Sequence, residues 1–444
     1  MSKACEYLKR EEKYIGKTIG IRFYPIVVDR AEGSKIWDVD GREYIDFSSQ
    51  WAVTNLGHNN PEVIEALKNQ LDRLVFSSHT TFPNTVAIEL AEKLVEITPG
   101  EFEKKAWFGL TGSDANEFIY KVMPIYSGRR RLLGFQGSYH GQTMGALSLS
   151  GHKALTRFIG FPNTVKAPYP YCYRCHFKQS YPDCGLFCIE FLENNVLENA
   201  PSEDLAAIIV EPIQSDGGVI VPPPEFISRL YKICRDRGVS LVVDEVKVGF
   251  GRTGRFFAVE YSSVAPDAIT MAKPMASGLP LSAVVGRAEI MDAASAAHLF
   301  TSSAHPVCCA ASLATINFIL RENIPEKAAR TGTYILKRLN EVYEKHPLIG
   351  DVRGRGMILG VELVKDRRSK EPATFETACL VYRAYELGLL ITYVGTYSNV
   401  VEITPPLTIS IEEVDKAMEI FEKALKDVEK ESVDKEKVKK FAGW

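Results

Sequence analysis

Between about residues 106 and 290, short apolar runs alternate with stretches of helical periodicity. The runs are Ala106–Leu110, Leu132–Phe135, Ala206–Val210, Val239–Val243, Ala268–Met271 and Leu281–Val285, and residues 224–237 are typical of the helical stretches between them. Near-continuous apolar strands separated by helices mark a mostly parallel sheet, whose two faces are both covered by helices. In such a sheet ligands sit outside the carboxyl ends of the strands. The polar residues that directly follow each run are therefore the ones to examine.

The flanks read differently. Residues 1–60 predict a short helical start and small strands around Ile26–Val28, Lys35–Trp37 and Tyr44–Phe47, with a turn at Asp40-Gly41. Residues 84–97 have apolar side chains at helical spacing (Val86, Leu90, Leu94, Ile97), with Asn84 or Thr85 as cap. Beyond about residue 326 helices alternate with strand candidates at Met357–Val364, Leu389–Thr392 and Val400–Ile403, and 411–431 is a charged helix. The expected fold class is α/β, with a large sheet domain over 61–325 and a smaller α+β domain made from 1–60 and 326–444.

Hydrophobic residues are 45% of the 444-residue chain, enough for a large core. The net charge of −3 argues against a nucleic-acid partner held by bulk charge. No apolar run approaches the ~20 residues of a membrane span, so no membrane partner is expected. The polar N-terminus lacks a secretory apolar stretch, and nine cysteines without such a leader fit a reducing cytoplasm.

Four strand ends carry polar groups: Thr111-Gly112-Ser113-Asp114, Glu211-Pro212-Ile213-Gln214, Asp244-Glu245 and Lys273. A Gly-Ser pair opening a helix presents backbone N–H groups and the positive helix end to a phosphate. A carboxylate on a neighbouring strand end could keep a ring nitrogen protonated, and a lysine on a third could form an imine with an aldehyde. Phosphate, pyridinium and aldehyde are the three handles of pyridoxal phosphate.

Over nearly its full length the sequence resembles the class III (ω-amino-acid type) aminotransferases, fold-type I pyridoxal-phosphate enzymes. The stretches that carry the likeness are NLGHNNPEVIEAL, GLTGSDANE, GSYHGQT, IIVEPIQSDGGVIVPP, LVVDEVKVGFGRTG, MAKPMASGLPLSAVVG and VRGRGMILGVEL. The resemblance implies that Lys273 forms the Schiff base with the cofactor and shuttles the proton, that Asp244 pairs with the pyridine nitrogen, and that Glu211 is the buried acid of the EP-x-Q motif. It implies that Val246 and Tyr139 flank the ring, that Gly112 and Ser113 bind the phosphate, and that His140 and Lys247 stand at cofactor-binding positions. Thr301 resembles the threonine that reaches the phosphate of a neighbouring subunit, which implies a homodimer or a higher oligomer with shared active sites. Trp51, Gln142, Asp216 and Arg353 fall at substrate-binding positions, Arg353 resembling the arginine that takes a substrate carboxylate. The implied substrates are a small amino acid and a 2-oxo acid, and the implied reaction is amino transfer.

Residue alternation adds an expectation. In a continued strand, Asp244 and Val246 share one face while Glu245 and Lys247 share the other, so Lys247 should point away from the cofactor. Departures from the family pattern bear on the substrate. Gln142 stands where many members acting on γ-aminobutyrate or ornithine have arginine, and it cannot pair as a cation with a distal carboxylate. Asp216 replaces the usual glutamate, Lys247 the usual glutamine, and His305 the usual asparagine. Amino-acid racemases and epimerases on the same fold share such features, so amino-acid racemisation is the alternative reaction.

Two motifs are set aside. Gly249 to Gly254 matches G-x-G-x-x-G, but neither the long following helix nor the later acidic residue of a dinucleotide site is present. Cys172, Cys175, Cys184 and Cys188 could bind a structural zinc, form disulfides or stay reduced, and none of these states is catalytic. No metal is assigned to the catalytic site.

Overall fold

The computed structural model describes residues 2–153, 163–200 and 202–442. They form two compact units, one made of residues up to 60 together with those from 327 onward, the other of 61–326.

In the first unit, strands β1 (Val28–Glu32), β2 (Lys35–Asp38) and β3 (Glu43–Asp46) pair antiparallel in sequence. The second unit holds β4 (Lys104–Gly109), β5 (Arg131–Phe135), β6 (Thr164–Ala167), β7 (Leu205–Val210), β8 (Ser240–Asp244), β9 (Ala268–Met271) and β10 (Ser282–Arg287). The first unit resumes with β11 (Ile349–Arg355), β12 (Ile358–Leu363), β13 (Leu389–Leu390), β14 (Thr392–Val394) and β15 (Val400–Ile403). Its two four-stranded sheets run β1-β2-β3-β13, closed by a parallel β3–β13 pair, and β11-β12-β15-β14, which is antiparallel throughout.

The seven-stranded sheet of the second unit has the order β4-β10-β9-β8-β7-β5-β6. Pairs β5–β6, β5–β7, β7–β8 and β8–β9 are parallel. Only β10 is reversed, and it is antiparallel to both β4 and β9, so β4 runs in the majority direction. Six strands therefore end at one edge, which is what gathers distant polar residues together. Every residue of β7 and of β9 is buried, as a sheet covered on both faces demands.

The helix Gly112–Ser127 shows how the local sequence builds this edge. Thr111 and Asp114 form a reciprocal capping box at its start, and Gly128 ends it at φ +68°. Ala115, Phe118, Ile119, Val122 and Met123 form its buried stripe and pack with Leu132, Ile209, Val242 and Val284 of the sheet. Burying such side chains contributes about 1.5–3 kcal/mol each, so the helix start is held firmly against the strand ends.

Among the described residues no single helix is long and apolar enough to cross a membrane. All nine cysteines are unpaired. Cys172, Cys175, Cys184 and Cys188 line one small cavity of about 20 Å³. No group of three or more His, Cys, Asp or Glu among the described residues is placed to hold a metal. The structure thus carries the four as separate thiols.

Candidate active site

At the end of β8, Asp244 is buried and takes three hydrogen bonds. One carboxylate oxygen accepts from His140 Nδ1 at 2.7 Å and from Asn116 Nδ2 at 2.8 Å, and the other accepts from the Val246 amide at 2.9 Å. Asn116 Nδ2 also bonds the His140 carbonyl at 2.7 Å, so helix, loop and strand are locked around one anion. His140 Nε2 and Asn116 Oδ1 are buried without a hydrogen-bond partner.

Lys273 follows β9 and adopts φ +33°, a left-handed conformation that costs a non-glycine residue about 1–3 kcal/mol. Its Nζ lies 5.9 Å from the centre of the Tyr139 ring. Glu211, at the end of β7, accepts the Tyr139 amide at 3.2 Å. Burial, then the charges of Asp244 and Asp216, push its carboxyl well above the usual carboxylate range. Asp216 lies 3.6 Å from Lys247 Nζ. Burial works against its ionisation, but Lys247, Lys273 and His152 together outweigh it and hold the carboxyl below its ordinary value.

This corrects the alternation argument for Lys247. β8 ends at Asp244 and the chain turns at once, so the two-residue period stops before Lys247 is reached. Lys247 comes round to the Asp216 side, whereas Glu245 does face away, accepting the amides of Ala258 and Val259 at 3.0 and 2.7 Å. Val246 faces the helix start: a Cβ on Gly112 would lie 2.7 Å from its Cγ1, and one on Gly141 would lie 2.5 Å from Ser113 Oγ. Both glycines are thus required for this close approach. Ser113 Oγ accepts the Gln142 amide at 3.1 Å, and Gln142 Nε2 is 3.4 Å from Tyr139 Oη. Burial, then the charge of Asp216, raises the Tyr139 hydroxyl above its ordinary value. Thr301 is exposed, and its carbonyl accepts from Ser78 Oγ at 3.1 Å.

Two expected site residues belong to the first unit. Trp51 sits in a left-handed turn of four non-glycine residues, Ser49–Ala52, with its ring 5.9 Å from that of Phe23. Arg353 is bound to Asp351 at 2.6 Å and to fully buried Glu362 at 2.8 Å. Its charge is matched twice, and a substrate carboxylate would have to displace one of these partners. Asn116 and His152 carry no assignment in the sequence reading. Asn116 interrupts an apolar helical stripe, which is a usable signal, while nothing local marks His152.

A lysine, a fixed carboxylate and a glycine-lined helix start converge on one edge, with unpartnered polar atoms behind them. The residues fit pyridoxal phosphate: the cradle leaves the helix amides open to a phosphate, and Asp244 is anchored as an anion for a ring nitrogen. Fold and site together define a fold-type I pyridoxal-phosphate enzyme. The family pattern "Aminotransferase class-III" matches residues 20–425. The chain belongs to the class-III aminotransferase family, and its cofactor is pyridoxal 5′-phosphate.

Full-length relatives support both the amino-transfer reading and its alternative. A leucine/methionine racemase of Thermococcus litoralis is 44% identical over 99% of each chain. An alanine/serine racemase of Pyrococcus horikoshii is 40% identical over 96% of this chain and 91% of its own. The 4-aminobutyrate aminotransferase GabT of Escherichia coli is 38% identical over 95% of this chain and 98% of its own. Among solved structures, an ω-transaminase from Thermomicrobium roseum superposes with TM-score 0.88 at 33% identity, covering 96% of this chain and 99% of that one.

Proposed function

We propose that this member of the family is an amino-acid racemase or epimerase acting on neutral amino acids. The observation that carries the reading is the buried Asp216–Lys247 pair, whose carboxylate is under the electrostatic influence of Lys273. Amino transfer needs one group to move a proton, whereas inversion at Cα needs a proton taken on one face and returned on the other. Lys273 supplies the first group at Nζ. Lys247 and Asp216, an ion pair with Nζ and Oδ2 3.6 Å apart, supply the second, the lysine ammonium as the proton donor.

When bound, pyridoxal phosphate acts as an electron sink that acidifies the Cα–H bond of the amino acid. The other residues hold and orient. Gly112 and Ser113 bind the phosphate, Asp244 with His140 and Asn116 fixes the ring nitrogen, and Val246 and Tyr139 flank the ring. Thr301 reaches the phosphate of a second subunit in a cytoplasmic homodimer. Gln142 offers no cation to a distal carboxylate, which favours neutral side chains of the kind named in the leucine/methionine and alanine/serine racemases. Amino transfer to a 2-oxo acid is the second reading, favoured by the family match and the 4-aminobutyrate relative.

A chiral amino-acid panel run with and without pyruvate or 2-oxoglutarate tests this. Racemisation is expected to build up D-enantiomer from L-leucine, L-methionine or L-alanine without any 2-oxo acid, the cofactor staying in its aldehyde form. Stoichiometric pyridoxamine phosphate with no D-enantiomer would overturn it in favour of amino transfer.

A further inference from the structure

The loop that carries Thr301 also carries an imidazole that no step above uses. His298 is 9% exposed. Its Nδ1 lies 3.1 Å from Lys121 Nζ. An ammonium only donates, so Nδ1 accepts, and the proton of the neutral ring sits on Nε2. The His298 carbonyl accepts the indole N–H of Trp107 at 2.8 Å, and the two rings stack with centroids 5.2 Å apart. Phe118 and Phe300 meet the imidazole edge-on at 6.3 and 4.9 Å. Trp107 lies on β4, and Phe118 and Lys121 lie on the helix Gly112–Ser127. His298 therefore ties the Thr301 loop to the same strand–helix corner that presents Gly112 and Ser113. Among the described residues the loop is also held by Ser78 Oγ to the Thr301 carbonyl at 3.1 Å and Asn84 Nδ2 to the Ala304 carbonyl at 3.2 Å. Two further imidazoles lie nearby, His79 accepting the Asn84 amide at 3.4 Å and His305 packing on Phe76 with ring centres 5.7 Å apart.

A proton on Nδ1 undoes this arrangement. The ring then has no lone pair to accept from Lys121, and two cations face each other at hydrogen-bond distance. The remaining ionisable groups facing the ring are Asp114 and Glu117, on the same helix. Burial, then Lys121, hold the imidazole below its ordinary value against a hydrogen bond to the Asp114 backbone and the pull of those two acids.

We propose that His298 is a proton-sensitive clasp: neutral, it seats the Thr301 loop on the corner that carries the phosphate cradle, and protonated, it frees that loop and loosens the grip on the cofactor phosphate across the dimer. This rests on the reading of Thr301 as a phosphate ligand, and His298 acts as a positioning residue. Because docking disfavours the protonated ring, the clasp is fully engaged above the ordinary imidazole range and weakens as pH falls through it.

The test is the rate of pyridoxal-phosphate loss from the holoenzyme, followed by its visible absorbance, at about pH 8 and about pH 5, either side of the ordinary imidazole value. Acidification should speed loss from the native enzyme severalfold more than from His298→Asn. Asparagine still accepts from Lys121 but takes no proton. Lys121→Met removes the opposing cation and should flatten the response as well, which keeps the idea testable if His298→Asn folds poorly. An unchanged acid response in both variants overturns the clasp. Thr301→Ala should release cofactor faster than native at both pH values. If it does not, the reading of Thr301 falls and the clasp with it, whereas a fast Thr301→Ala beside an acid-sensitive His298→Asn defeats the clasp alone.

Discussion

Asp244 and Glu245 are consecutive, buried and acidic, yet they stand on opposite sides of the seven-stranded sheet in different company. Asp244 is held by side chains from two other elements, His140 and Asn116, and by one amide of its own turn. Glu245 is held by the backbone amides of Ala258 and Val259, from the segment that follows the glycine-rich turn. Burial dominates at Glu245 and raises its carboxyl to about 8. One side is an anion fixed for chemistry, and the other is an anchor for a loop. The contrast teaches that partner type, not burial or charge, separates an active-site carboxylate from an architectural one.

Substitutions on the two sides should break the protein in different ways. The largest effect is expected for Lys273→Ala, which should lower turnover by about 10⁴-fold, the upper end of what a positioned acid–base group supplies. Its bound-cofactor absorbance should also change, and steady-state kinetics with a spectrum checks both. Asp244→Asn should cost about 10²–10³-fold in kcat, as the loss of one preorganised electrostatic partner does, and should lower the thermal midpoint as well, because its new amide N–H₂ faces donors on either side. Asp216→Asn sharpens the picture within the site. Racemisation should fall about 10²-fold, the low end for a general acid–base group, while a single half-reaction to pyridoxamine phosphate falls less. Equal losses in both would remove Asp216 from the proton path.

Glu245→Gln belongs to the other side. It sets an amide N–H₂ against a backbone N–H and should cost about 1–3 kcal/mol of stability, with kcat near native below the melting range. A native thermal midpoint would show that the anchor is unimportant. The native protein gives the smallest signal. A carboxyl raised by folding stabilises fully below its unfolded value and loses that contribution as pH rises through the folded one. Unfolding midpoints should therefore decline as pH rises towards and through about 8, and this slope should be shallower in Glu245→Gln.

The cysteine loop shows a different limit. Spacing alone left zinc, disulfides and free thiols open. The folded loop surrounds a small cavity in which burial raises the Cys188 thiol to about 11. A thiol so disposed is a poor nucleophile.

Much of the sheet is legible in the chain itself. The six apolar runs fall on β4, β5, β7, β8, β9 and β10 within a residue or two, because each buried strand needs an unbroken apolar stretch. β6 and β11 escaped that reading. β6 is a four-residue edge strand, Thr164–Ala167, and β11 reads IGDVRGR, rich in charge and glycine. Neither carries a local period, and both exist because a neighbouring strand pairs with them.

The sequence by itself determined that Gly112-Ser113, Glu211, Asp244 and Lys273 follow strands of one sheet, since apolar runs and their polar tails are local properties of the chain. Only the tertiary structure decided which charges meet there. It turned Lys247 inward to Asp216, gave Asp244 its Asn116, surrounded Arg353 with Asp351 and Glu362, and set His298 on Lys121. Such pairings join residues 31 to 177 positions apart at several of these points, or follow a turn that ends the strand period. Spacing cannot encode them, because a charge finds its partner through the path of the backbone in space.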